Sequence, residues 1–194
     1  MKALFFIVTV SCLVLDQVTK FGARMLAEGV EGRSISALWP GVFELKLVFN
    51  EGIAFGMFQG AGVFLTPIAA CIAFGAAWYS LRHPGEPRSS HVTMALLCAG
   101  ALGNLIDRVA FGKVTDMFWI RAIDFPVFNV ADVCITVAGF MLAISVLFEL
   151  VHPKEQGAES KEQEQEREQE QEQEQEQGAG SREREQEQER ESAT

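Results

Sequence analysis

Apolar and polar positions divide the chain into four long apolar runs, separated by polar segments and followed by a C-terminal stretch of different character. The first run, about 3–25, is apolar up to Leu15 apart from Thr9 and Ser11, and carries Asp16 and Lys20 in its second half. The second, 61–81, holds no charged residue in 21 positions, enough for roughly 30 Å of hydrocarbon at about 1.5 Å per residue. Pro67 predicts a kink in it, and Trp78 and Tyr79 fall near its end, where aromatic belts form. The third, 92–108, contains Ala95, Ala99, Gly100 and Gly103, small residues that let helices approach closely. The fourth, 128–151, has Glu149 at its far end.

The segment 26–60 is no spanning helix, because Gly29, Gly32, Pro40, Gly41, Gly52 and Gly56 break it. Within it 43–49 alternates, with Phe43, Leu45, Leu47 and Phe49 on one side. Period two predicts a half-buried strand, and Asn50-Glu51-Gly52 reads as a turn. Such a fragment offers an edge to which an extended peptide adds as a strand. The pattern predicts a mainly α, polytopic membrane protein: a four-transmembrane-helix bundle with a small β-sheet and extended loops (26–60 and 109–127) on one side. Residues 1–153 form this domain and 154–194 a separate tail. A cleaved signal peptide is the alternative for the opening run, and Val-Thr-Val-Ser before Cys12 faintly resembles a lipoprotein-processing site. Only nine residues separate Lys2 from Cys12 and no soluble domain follows, so an uncleaved first span is expected.

Charge adds a division of labour. From Lys154 onward there are six Lys/Arg and fifteen Glu, which accounts for nine of the net −10. This Glu-Gln tail cannot bury apolar area and is expected to be disordered or partly helical. No basic patch suggests nucleic acid. Cys12, Cys71, Cys98 and Cys134 form no CxxC pair, and helix-borne apolar packing is their expected role.

Antiparallel spans bring the ends of the first and third runs to the side where the second and fourth begin. Asp16, the 43–49 strand, Asp107, Arg108, Asp116 and Asp132 therefore converge on one face. An ionisable group at membrane depth is costly and marks a functional site by default. Asp16 and Lys20, four apart, share a helix face; a structural ion pair is the reading for Lys20, whereas structural and functional roles both stand open for Asp16. Asp116 lies in Val114-Thr-Asp-Met-Phe-Trp-Ile120, one charge in an apolar stretch. Asn-Val-Ala-Asp at 129–132 reads equally as a helix start, with Asn129 as N-cap and Asp132 favoured by the helix dipole. Asp124 reads as a turn residue, and Asp107 as local compensation for Arg108. Two adjacent carboxylates, one ionised and one protonated, can activate water and polarise a peptide carbonyl.

Five segments in order carry a resemblance: Leu15-Asp-Gln-Val-Thr-Lys20, Asn50-Glu-Gly-Ile-Ala-Phe-Gly56, Gly100-Ala-Leu-Gly-Asn-Leu-Ile-Asp-Arg108, Val114-Thr-Asp-Met117 and Phe128-Asn-Val-Ala-Asp132. The chain resembles the lipoprotein signal peptidases (signal peptidase II), bacterial inner-membrane aspartyl proteases. The resemblance implies Asp116 and Asp132 as catalytic dyad. It implies supporting or substrate-contacting roles for Asp16, Lys20, Asn50, Gly52, Ala54, Phe55, Gly103, Asn104, Arg108, Asn129 and Ala131. It further implies cleavage of a prolipoprotein just before its diacylglyceryl-cysteine, no metal or other cofactor, and membrane lipids as surroundings. Both termini would be cytoplasmic and the site periplasmic; a monomer is expected. The count of Lys and Arg at the sheet end runs the other way under the positive-inside rule. Ile53 stands where the family has a small residue, and the segment between Asp116 and Asp132 is short. A small transporter or channel subunit is the alternative class, since buried acids also line ion paths; a noncatalytic assembly factor is a third. The polar residues gather at one end of the bundle rather than along its depth, which argues against a path.

Overall fold

The computed structural model describes residues 2–52 and 62–151. Ile53, Ala54, Phe55, Gly56 and the tail lie outside the described residues. The elements are α1 (Lys2–Leu26), β1 (Ser34–Trp39), β2 (Phe43–Asn50), α2 (Gly62–Arg82), α3 (Arg88–Phe111), β3 (Val114–Ile120), a 3-10 turn (Arg121–Ile123) and α4 (Val130–Val151). Among the described residues, four helices are long and apolar enough to cross a membrane, and the chain is a multi-pass membrane protein.

The helices turn their large side chains outward and their small or polar ones inward. In α1 the buried residues Phe5, Thr9, Asp16, Lys20 and Ala23 fall on one face, while Phe6, Ile7, Val10, Val14, Val18 and Phe21 are exposed. In α4 the buried set is Ala131, Cys134 and Ala138, against exposed Val133, Val137, Phe140 and Ile144. Hydrocarbon is as apolar as leucine, so helices in lipid associate through close packing of small residues and polar contacts. The central helix α3 packs against both α1 and α2, and buries Ala95, Cys98, Ala99, Gly100, Ala101 and Gly103.

Gly100 and Gly103 set the approach of α3 to α4. A Cβ at Gly100 would lie 2.5 Å from the Ala131 carbonyl oxygen and 2.6 Å from Ile135 Cγ1. At Gly103 it would strike Asp16 Oδ2 and sit 3.1 Å from Ala131 Cβ. Gly103→Ala is therefore expected to destabilise the chain in detergent by about 1–3 kcal/mol, the usual cost of overpacking. Gly139→Ala, where nothing lies within 4 Å, is the matched control and should leave the unfolding temperature unchanged or slightly raised.

The sheet has the order β1-β2-β3, antiparallel throughout. Pro40 and Gly41 form the first turn: Val42 N donates to Trp39 O at 2.9 Å and Gly41 has φ +76°. Such a turn demands positive φ at its third position, which glycine adopts without strain. The register with β3 shifts between Leu45 and Val48. The alternating side is nevertheless kept: Leu47 enters a core with Ala23, Ala27 and Met117, against which Leu45 and Phe49 also pack, tying the sheet to the end of α1.

Two connections place the site. The first is Gly112, left-handed at φ 74°, which caps α3 with its N–H on Arg108 O and lets β3 begin two residues later. The second is the 124–129 segment, which folds back on β3. Phe118 N donates to Phe128 O at 2.9 Å and Phe128 N returns to Phe118 O at 3.0 Å. That bridge delivers Asn129 and the first turn of α4 beside Asp116. Asp124, with φ 45°, caps the 3-10 turn, its N–H on Arg121 O, so it is the turn residue anticipated. The chain forms two units, Met1–Ser145 and Val146–Thr194; of the second, the described residues 146–151 are helical and exposed.

Candidate active site

The acidic residues at the sheet end do not act as isolated charges; amides and cations knit them together. Asp16 and Lys20 face inward on α1 as an i, i+4 pair, 2.9 Å apart and almost wholly buried. Asp16 Oδ1 also accepts the Ala131 N–H at 2.9 Å, one of the free donors of the first turn of α4. Lys20 Nζ donates to Gly103 O at 3.2 Å and Asn104 Oδ1 at 3.0 Å. Lys20 further lies 3.7 Å from Asp107 Oδ2.

Asp107 acts on Arg108 only through its field; among the described residues its ion pairs are with Lys20 and Arg24 rather than with its neighbour in the sequence. Consecutive helical residues point away from one another, and Asp107 turns into the bundle. There it meets Lys20, Arg24 at 3.5 Å and the Thr115 N–H at 2.8 Å. Arg24 completes the clamp by donating to Thr115 Oγ1 at 2.7 Å. Neither Arg24 nor Thr115 stood out in the sequence. The signal for Arg24 was available, since it continues the Asp16, Lys20 stripe by one further turn; for Thr115 there was none.

Asn129 joins the two remaining acids. Its Nδ2 donates to Asp116 Oδ1 at 2.6 Å, and its backbone N–H to Asp132 Oδ2 at 3.2 Å. Asp132 N in turn donates to Asn129 Oδ1 at 2.9 Å, so the pair forms a reciprocal cap on α4. The capping interpretation of Asn-Val-Ala-Asp and the convergence on Asp116 thus hold together. Asn104 Nδ2 reaches Asp132 Oδ1 at 2.8 Å, and Asn50 Nδ2 reaches Asp116 Oδ2 at 3.2 Å. The Asn50 oxygen accepts the Gly52 N–H at 3.0 Å, a side-chain turn that leaves the amide nitrogen facing Asp116.

Asp116, Asn129 and Asn104 are buried, whereas Asp132, Arg108 and Asn50 are half-buried. The cluster is therefore open on the side of Asp132. Burial pushes the Asp116 carboxyl up from 3.8 to about 7, and the nearby charge of Asp132 adds to the rise. Hydrogen bonds from Asn129 and Asn50, and the Lys20 charge, act in the opposite sense. Arg108 lies in the field of Asp132, Asp116 and Asp107. Its guanidinium makes no ion pair within 4.0 Å among the described residues, which leaves its donors open to another group. Of the residues singled out in the sequence, Asp16, Lys20, Asn50, Gly52, Gly103, Asn104, Arg108, Asp116, Asn129, Ala131 and Asp132 meet in this cluster; Ala54 and Phe55 lie outside the described residues.

Fold and cluster define a class: a multi-pass membrane enzyme with a carboxylate–amide site at the sheet end of its bundle. The family model described as Signal peptidase (SPase) II matches residues 8–148. The chain belongs to the signal peptidase II family and is a peptidase. Among its relatives, the lipoprotein signal peptidase of Gloeobacter violaceus is 41% identical over 143 residues, covering 74% of this chain and 81% of that one. That of Symbiobacterium thermophilum is 39% identical over 150 residues, covering 74% and 94%. A solved structure of a bacterial membrane enzyme at 2.3 Å resolution superposes with a TM-score of 0.69 at 29% identity, covering 78% of this chain and 92% of that one.

Proposed function

We propose that this chain removes the signal peptide from diacylglyceryl-modified prolipoproteins, with Asp116 and Asp132 together activating the attacking water. The observation that carries the reading is Asn129, one side chain and one backbone N–H holding both acids in register. Membership of the signal peptidase II family supplies the substrate class.

The environments separate the two roles. Asp132 sits in the first turn of α4, where the helix dipole favours a negative charge, and it accepts two N–H groups. It serves as the ionised base. Asp116, buried and beside that charge, holds its proton near neutral pH and serves as the acid. Asp132 takes a proton from water as the water oxygen adds to the scissile carbonyl carbon. Asp116 donates its hydrogen bond to the carbonyl oxygen, which becomes the tetrahedral oxyanion or its protonated form. Collapse breaks the C–N bond, and the proton held by Asp132 passes to the leaving nitrogen of the lipidated cysteine. The signal peptide departs with a new carboxylate. Arg108, with open donors beside both acids, binds a substrate carbonyl.

The site faces the periplasm and both termini face the cytoplasm. The orientation follows the family's topology, against the excess of basic residues at the sheet end, most of which are paired there. Lys20 and Arg24 pair with Asp16 and Asp107, Arg33 with Glu28 at 2.8 Å, and Arg121 with Glu44 at 2.8 Å. The working state is a monomer among membrane lipids. Residues 1–153 suffice for catalysis, and 154–194 are dispensable for it.

The reading makes a pH prediction. Activity needs Asp116 protonated, so kcat/KM should fall as pH rises through about 7. Asn50 stabilises the charged form of Asp116. In Asn50→Ala the falling limb should therefore move to higher pH, by up to about one unit if the lost bond is of ordinary charge-assisted strength. A limb that stays in place or moves lower sinks the assignment of Asp116 as the acid.

A further inference from the structure

Lys20 does more than the chemistry of a buried ion pair requires. Its ammonium has three hydrogens and no acceptor. Three acceptors surround it: Asp16 Oδ2 at 2.9 Å, Gly103 O at 3.2 Å and Asn104 Oδ1 at 3.0 Å. The first neutralises the charge and the second ties α1 to α3. The third falls on an amide whose other end touches Asp132 at 2.8 Å.

We propose that Lys20 is a positioning residue for the hydrolysis: its ammonium holds the Asn104 amide in the one orientation that aims Nδ2 at Asp132. The inference rests on the dyad reading above. An amide can present either oxygen or nitrogen; the ionised Asp132, which cannot donate, takes the nitrogen, and a neighbour that cannot accept secures the oxygen. Lys20 is such a neighbour. The other partner of Asn104 Oδ1 is Asn129 Nδ2 at 3.1 Å. That nitrogen has two hydrogens and three acceptors, the others being Asp116 Oδ1 at 2.6 Å and Thr115 O at 3.4 Å. Asp116 takes one hydrogen and Asn104 the other, so the Asn129 hold on Asn104 is a single neutral bond, weaker than the charge-assisted one from Lys20. Without Lys20 the amide keeps only the neutral Asn129 bond on its oxygen and aims its nitrogen at Asp132 less tightly. The Asp132 carboxylate, held by a looser donor, then moves off the line of attack. Gln17 Nε2, which also reaches Asp16 Oδ2 and Gly103 O, has no bond to Asn104 and cannot substitute.

A structural role and a positioning role separate in a double-mutant cycle of Lys20→Met and Asn104→Ala, read as kcat on a synthetic diacylglyceryl-cysteine peptide in detergent. If Lys20 acts through Asn104, Lys20→Met lowers kcat by about 10–100-fold with Asn104 present. With Asn104→Ala it costs less than about twofold more, since groups that act as a unit are strongly non-additive. KM changes little in either background. The same fold-loss in both backgrounds, or no loss at all, overturns the proposal. Lys20→Met leaves Asp16 without its counter-charge, so the cycle is repeated in Asp16→Asn, whose amide oxygen still accepts the Ala131 N–H. If neither form of the Lys20 variant inserts and accumulates, Lys20 is a folding residue and the proposal fails. Asp132→Asn is run alongside: activity in that variant would overturn the dyad itself, a result distinguishable from additivity in the cycle.

Discussion

Asp116→Asn is expected to lose at least about 10³-fold in turnover while making the folded chain more stable above pH 7. The loss follows from removing the acid: an amide donates to the carbonyl oxygen but cannot deliver and recover a proton, and general acid–base groups contribute about 10²–10⁴-fold. The gain in stability follows from the raised pKa. In the unfolded chain the carboxyl titrates at its ordinary 3.8; in the fold burial moves it to about 7. A group raised by folding adds its stability at low pH, where both states are protonated, and loses it as pH climbs through the folded value. At pH 8 the folded chain thus carries a penalty of about 4 kcal/mol, at about 1.4 kcal/mol per unit. Asn carries no charge to desolvate. Thermal unfolding in detergent should show the parent chain weakening from about pH 4 to about pH 7 and levelling off above it, with Asp116→Asn nearly flat. A variant that matches the parent in pH response would show that Asp116 is already ionised in the fold.

Asn129→Ala should lower kcat by about 100-fold or more without preventing insertion. The substitution removes the donor to Asp116 Oδ1 and the acceptor for the Asp132 N–H. The cap alone is worth about 1 kcal/mol, too little to unfold four spans buried in lipid. Both acids, however, lose the group that sets their separation. The loss should lie in kcat, since the side chain is wholly buried and is not offered to substrate. Normal turnover in this variant would mean that the two acids are held by something other than Asn129.

The spans were legible because their signal is composition over some twenty residues, which no tertiary detail overrides. The strand β2 was legible from its alternation, which put Leu45, Leu47 and Phe49 on the side that packs on Ala23 and Ala27; the register shift against β3 between Leu45 and Val48 is carried by no local pattern. The strand β1 was hidden because five of its six residues are exposed, so it has no apolar face to advertise. The strand β3 was hidden for the opposite reason: Val114 to Met117 are buried on both sides, and alternation vanishes. Its Asp116 nevertheless stood out as one acid in an apolar run. Counting spans sufficed to bring the acids to one end of the bundle. The partners within that end were not legible, since Asp107 finds Lys20 and Arg24 from more than eighty positions away. Asn129 looked like a helix cap and is one; that its other amide bond falls on Asp116 depends on the Phe118–Phe128 bridge.

The most direct measurement is mass analysis of the products when the purified chain meets a prolipoprotein peptide, with and without its diacylglyceryl group, beside the Asp132→Asn variant. One cut immediately before the lipidated cysteine, by the parent chain alone and on the lipidated peptide alone, is the predicted result. Cleavage by Asp132→Asn at the parent's rate would contradict the account.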